Sequence, residues 1–293
     1  ILVCLVGSEM CIRDRPYYSN FINEFEFQDT EDQANVTSEL LFDLNSGLPM
    51  DRLICGDVGF GKTEVALRGA FNVAMSGAQV AFIVPTTLLC SQHYENFTKR
   101  FKNFPLKVDQ ISRLNSTSEN NKIIERINSG ESDVVVGTHA LLNSKIKFKK
   151  LGMLIIDEEQ HFGVSQKEKI KSLRSNVHVL ALTATPIPRT LQMSLVGLRD
   201  LSIISTAPLN RQNINTEVID FNDEKIISAI EYELSRNGQV YYVCPRINEL
   251  KEVEDFLKSK LPNVKYQIAH GQMPSKNLKN TMIDFYNNEF QLL

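Results

Sequence analysis

From about Phe25 onward the apolar positions of this chain fall into two alternating patterns. Short, near-continuous apolar runs at residues 52–55, 79–84, 107–112, 133–136, 153–156 and 178–182 predict buried strands. Between several of them lie stretches with helical spacing, at 63–75, 88–101, 119–129 and 166–173. Strands that are apolar on both faces, separated by helices, are what a parallel sheet covered on both sides requires. The expected fold class is therefore α/β.

A break at 205–213, containing Ala207-Pro208-Leu209-Asn210, predicts a linker. The alternation then restarts, with strands at 214–221, 239–243 and 265–269, helices at 224–236, 249–260 and 275–287, and a strand opening at Phe290. The expected organisation is a first domain at 21–205, a linker at 206–213 and an incomplete second domain at 214–293. Residues 1–20 lack a starting Met and any sustained periodicity, and are expected to be a non-native or disordered leader. An ordered element there, packed on the core, would refute that reading.

Composition narrows the class without naming a function. Hydrophobic residues make up 42% and charged residues 23%, the balance of a soluble globular protein. No apolar run approaches the roughly 18 residues that span a bilayer. Cys4, Cys11, Cys55, Cys90 and Cys244 are scattered, which suggests reduced thiols in a cytoplasmic protein rather than disulfides or zinc ligands. A net charge of −3 does not advertise a nucleic-acid binder, but phosphate contacts need only a local basic surface.

The decisive string is Gly56-Asp57-Val58-Gly59-Phe60-Gly61-Lys62-Thr63, which follows a predicted strand and opens a predicted helix. In that setting the glycines let backbone N–H groups surround phosphate oxygens, and the helix N-terminus adds partial positive charge. Lys62 would reach the β/γ-phosphates and the Thr63 hydroxyl would ligate Mg²⁺. A second string, Leu154-Ile155-Ile156-Asp157-Glu158-Glu159-Gln160, places two carboxylates at the C-terminal end of a buried strand, where open α/β sheets bind ligands. Alone, such a loop is more often solvated surface. Paired with the phosphate loop, it assigns Asp157 to the metal and Glu158 to the attacking water of ATP hydrolysis. Thr86 and Thr87, Thr138 and His139, and Thr183 and Thr185 follow three further predicted strands. Hydroxyls and amides at such ends can grip a phosphate backbone, although Thr before a helix is also simply a good N-cap.

In order and spacing these strings resemble the motifs of superfamily 2 helicases, and within them the bacterial transcription-repair coupling factors. Residues 50–66 carry much of the resemblance, because the related RecG-type branch migrators usually have Ser where Phe60 stands; Ile111-Ser112-Arg113 favours the same family. Asp157 to Val164 and Thr183 to Thr190 are shared by both groups. The resemblance implies a RecA-like sheet followed by a second RecA-like domain, truncated at Leu293. It implies ATP and Mg²⁺ as cofactors, double-stranded DNA as partner, and RNA polymerase and excision-repair proteins as partners through regions outside this chain.

Residue by residue, Phe27, Thr30 and Gln33 match an adenine-holding element, which on residues alone is also an ordinary amphipathic helix start. Thr86, Thr138 and His139 match positions along the DNA path. Thr183 and Thr185 match the segment that couples hydrolysis to domain movement. His270 matches a cleft-facing motif of the second domain. Many relatives end the carboxylate motif in His where this chain has Gln160, followed by His161, and both are expected to bond to the coupling segment. Lys145 to Lys150 alternates Lys with Ile and Phe, as an edge hairpin or a phosphate-contacting strip. His93 and His178 lack metal-ligand spacing and are expected to be structural or exposed. The family's γ-phosphate arginines follow the point where this chain stops, so slow turnover is expected. The alternatives are a RecG-like fork remodeller and an ATP-binding module without motor activity.

Overall fold

A computed structural model describes residues 15–113, 115–163, 166, 169–170, 177–185, 199–208, 211 and 214–293. The chain divides into two compact units, Ile1–Gln212 and Asn213–Leu293.

In the first unit the apolar runs become β1 (Asp51–Gly56), β2 (Gln79–Ile83), β3 (Val108–Ile111), β4 (Val134–Gly137), β5 (Leu151–Asp157), β6 (His178–Thr183) and β7 (Asp200–Ile204). They form one parallel sheet in the order β3-β4-β2-β5-β6-β1-β7. The helices are α1 (Arg15–Asn23), α2 (Glu31–Asn45), α3 (Lys62–Met75), α4 (Thr87–Phe101) and α5 (Thr117–Ser129). Period-two side-chain alternation sorts the strands into two cores. Phe82, Val134, Val136, Met153, Ile155, Leu180 and Leu182 join α1 to α4 on one face. Ala81, Ile83, Val135, Leu154, Ile156 and Val179 join Ile123 and Ile127 of α5 on the other. The fold is the expected α/β, RecA-like arrangement.

Several expectations fail in detail. The leader does not extend to residue 20: α1 begins at Arg15, Tyr18 packs against the core and Phe21 is fully buried, stacked on Phe71 at 4.3 Å. Residues 1–14, most of the helix expected at 166–173, and the motif residues Val164 and 186–190 lie outside the described residues. Strand β7 was not anticipated. Its inward Ser202 breaks the apolar period, and that hydroxyl is taken up by Arg52 and Glu39. Residues 145–150 form neither a hairpin nor a strand but an irregular approach to β5, with Ile146 and Phe148 packed on the second core. Those two apolar side chains, anchored to the core, explain the alternation.

The second unit contains α6 (Asp223–Ser235), α7 (Leu250–Lys260) and α8 (Ser275–Tyr286). Ile230, Leu257, Leu261 and Leu292 form its small core. The strands expected at 239–243 and 265–269 and from Phe290 reduce to the isolated parallel bridges Val240–Leu292 and Tyr266–Leu292. Residues 214–221 are not a strand: nothing among the described residues pairs with them, and Ile214, Val218 and Phe221 are exposed. A strand needs a partner ladder as well as a β-branched sequence.

Candidate nucleotide and phosphoryl-transfer site

Two loops meet at the C-terminal edge of the sheet. The first joins β1 to α3. Gly59 and Gly61 have φ of +80° and +78°, the left-handed region that glycine enters without penalty. A Cβ at Gly61 would also meet the Gln33 amide, which would have to leave its place beneath the loop. Lys62 opens α3, and its ammonium donates to the carbonyl oxygens of Gly56 at 2.6 Å and Asp57 at 2.9 Å. Burial pushes the Lys62 ammonium below its usual pKa, while Glu158, Asp157 and Asp57 pull it back up. The phosphate loop and the acidic pair thus share one electrostatic neighbourhood.

The second loop leaves β5 at Asp157, beside β6 and two strands from β1. Odd-numbered β5 side chains face the α4 side of the sheet, as Met153 and Ile155 do, and Asp157 follows them. There His93 Nε2 lies 3.3 Å from Asp157 Oδ2. Glu158 adopts φ +53° and its N–H donates to the Leu182 carbonyl at 2.9 Å, which fastens the loop to β6. Its Oε1 accepts from the Ala184 N–H at 2.9 Å and its Oε2 accepts from Gln160 Nε2. Gln160 therefore reaches the 183–185 segment only through Glu158, not directly as expected, because the turn that starts at left-handed Glu158 folds it back. The side chain of His161 lies outside the described residues. The Thr183 and Thr185 hydroxyls are 2.8 Å apart, on either side of the Ala184 N–H that donates to Glu158.

Two of the adenine-holding candidates, Phe27 and Gln33, line a cleft of about 480 Å³ bounded also by Phe25, Gly59, Gly61, Thr63 and Leu67. Phe27 is exposed and packs edge-to-face on Phe25 at 5.6 Å. Thr30 and Gln33 form a capping box on α2. Gln33 Oε1 accepts from the Thr30 N–H at 2.9 Å, and its Nε2 donates to the Phe60 carbonyl at 2.9 Å. The residue expected to read a base is thus also a strut under the phosphate loop. Next to it, Asp32 Oδ2 accepts from the N–H and hydroxyl of both Ser205 and Thr206, at 2.8–2.9 Å.

Among the proposed DNA contacts, Thr86 is exposed and caps α4, its hydroxyl accepting from the Leu89 N–H at 3.2 Å, with Thr87 half-buried as the first helical residue. His139 is exposed. Thr138 is buried, so its hydroxyl does not face solvent. His270 belongs to the second unit. His93 and His178 are both buried rather than exposed. His178 accepts from the Met50 N–H, as a structural residue does. His93 is the functional candidate that the sequence reading missed. The signal was its place on the stripe Cys90, His93, Phe97, Phe101, where a polar group among core positions needs a partner.

The family model of the DEAD/DEAH box helicases matches residues 30–194, more than half of the chain. The chain belongs to the DEAD/DEAH box helicase family. The helicase conserved C-terminal domain matches residues 223–293. Curated relatives include the transcription-repair-coupling factors of Rickettsia bellii, 49% identical over 96% of this chain, and Staphylococcus haemolyticus, 49% identical over 96%. The chain spans about a quarter of their length, 25% and 24% respectively. Among solved structures, RecG bound to a three-way DNA junction aligns with a TM-score of 0.76 at 31% identity, covering 95% of this chain and 37% of RecG. The helicase MrfA bound to DNA aligns at 0.66 and 13% identity over 94% of this chain and 43% of its own, a likeness of fold alone. Among the described residues no helix is long and apolar enough to cross a membrane.

Proposed function

We propose that this chain is the ATP-driven motor core of a double-stranded DNA translocase of the transcription-repair coupling type. In this reading its relatives use that motor to push on stalled RNA polymerase during excision repair. One observation carries the proposal: Lys62 follows β1 and the Asp157–Glu158 pair ends β5, parallel strands with β6 alone between them, so both loops leave the same edge of the sheet.

The donor set fits ATP with Mg²⁺. Gly59 and Gly61 shape an amide cradle, and Lys62 would hold the β/γ-phosphates. Thr63 and Asp157 would hold the magnesium, which supplies charge neutralisation when bound. Among the described residues no group of three or more acidic, His or Cys side chains can hold a metal ion. A divalent cation therefore needs the phosphates to complete its ligands, as magnesium sites of this kind do. Glu158, oriented through both carboxylate oxygens by Ala184 and Gln160, takes the proton of the attacking water. The same Ala184 contact ties the base to Thr183 and Thr185, so the state of the site is felt at the coupling segment.

The test is ATP hydrolysis with and without duplex DNA, on this chain and on a chimera carrying residues 25–293 in the matching span of a curated relative. Expected are ATP binding by both and DNA-stimulated hydrolysis by the chimera. Glu158→Gln should lower its turnover by about 10²- to 10⁴-fold while sparing nucleotide affinity. DNA-independent turnover that survives Glu158→Gln rejects the motor. The likeness to RecG supports a second reading, fork remodelling. It predicts stimulation by branched DNA above that by linear duplex.

A further inference from the structure

The buried imidazole beneath the acidic turn has no part in the scheme above. His93 is 7% exposed, on the buried stripe of α4, with its ring packed on Phe82 at 4.7 Å between centroids. Its Nε2 faces Asp157 Oδ2 at 3.3 Å, and its Nδ1 is buried without a hydrogen-bond partner among the described residues. A carboxylate oxygen only accepts, so Nε2 carries the hydrogen. Of the two neutral tautomers, this one satisfies Asp157. A purely structural histidine in a core would be expected to engage both nitrogens, as buried polar atoms nearly always do. This ring spends its one bond on the carboxylate and is otherwise held by Phe82.

We propose that His93 is a positioning residue for the metal carboxylate. By donating to Oδ2 it fixes the Asp157 rotamer and leaves Oδ1 for the magnesium of bound ATP. The proposal rests on the assignment of Asp157 to magnesium made above. Asp157 sits at the last position of β5, where the ladder to β6 ends, and His93 holds its carboxylate there at hydrogen-bond distance. Partners that orient a metal-binding group in this way typically govern 10- to 100-fold in metal affinity.

The experiment titrates Mg²⁺ against binding of a fluorescent ATP analogue by this chain, followed by fluorescence, with a metal-free arm in chelator. His93→Phe keeps an aromatic ring against Phe82 and removes the donor. His93→Gln returns a terminal N–H at similar reach, and His93→Met fills the space without one. Thermal unfolding monitors folding of each. Expected is a rise of about tenfold in the Mg²⁺ concentration for half-maximal binding in the Phe and Met variants. Metal-free affinity should be unchanged, and Gln should recover most of the loss. Should the Phe variant fail to fold, the Met and Gln pair decides. A wild-type Mg²⁺ titration in the donor-free variants, or equal impairment in Gln and Met, overturns the role of His93. Nucleotide affinity of the unaltered chain that ignores Mg²⁺ instead overturns the magnesium assignment itself.

Discussion

Lys62 shows how a functional side chain works against the fold that presents it. Its ammonium is half-buried between the loop carbonyls and two carboxylates, and desolvation holds its pKa down. Lys62→Ala should therefore cut nucleotide affinity at least about tenfold, the worth of one hydrogen bond to a charged group. It should not lower the thermal midpoint, since a poorly solvated charge is removed; equilibrium binding and a melting curve read the two effects separately. Gly61 behaves in the opposite way. With φ +78° and the Gln33 amide in the way of any added Cβ, Gly61→Ala strains both the loop and the Gln33 strut. A loss of about 1–3 kcal/mol in urea unfolding is expected, with weaker nucleotide binding. At this scale the glycine turn between β1 and α3 was legible in the sequence because its parts are local: a strand, a glycine turn and a helix start within about a dozen residues.

Among the elements, α2 ties the β1–α3 loop to the segment just beyond β7. Its capping box orders Gln33 beneath the phosphate loop, while Asp32 gathers four hydrogen bonds from Ser205 and Thr206 just beyond β7. Those bonds, the Ser205 hydroxyl first and its N–H next, depress the Asp32 pKa from 3.8 to about 2. A carboxyl with a lowered folded-state pKa contributes stability above its unfolded pKa and loses it as pH falls through the folded value. The clamp is thus fully present above about pH 4 and should fade between about pH 4 and pH 2. Asp32→Asn should remove that part of the acid dependence, which urea unfolding across this window measures. If both proteins lose stability in parallel there, the clamp contributes nothing. No pattern in the sequence announced this contact, since Asp32 reads as a routine acidic residue in the first turn of a helix.

For the whole molecule, the chain is two units rather than one. Pro208 precedes the boundary, and residues 214–221 that follow carry no ladder and expose Ile214, Val218 and Phe221. Brief limited proteolysis should cut first within residues 214–222, because exposed backbone without regular hydrogen bonding is what proteases open most readily. The N-terminal product should keep its nucleotide site, as the phosphate loop, the acidic pair and the adenine cleft all lie in the first unit. Mass spectrometry of the fragments and analogue binding by the larger one check this. First cuts inside the first unit would contradict it.

By itself the sequence determined the parallel α/β fold and put the glycine turn and the acidic pair at the ends of two of its strands. Apolar periodicity selects secondary structure, and the site motifs are contiguous strings whose chemistry depends on near neighbours. Only the tertiary structure decided that Gln33 props the loop, that Gln160 acts through Glu158, that His93 stands under Asp157 and that Asp32 grips the end of the first unit. Each of these joins residues far apart in the chain or turned by one backbone angle, and which groups meet there is set by strand order and by the face each side chain takes. The same reason explains why residues 214–221 are not a strand: local preference proposes an extended segment, but a neighbouring chain makes it a sheet.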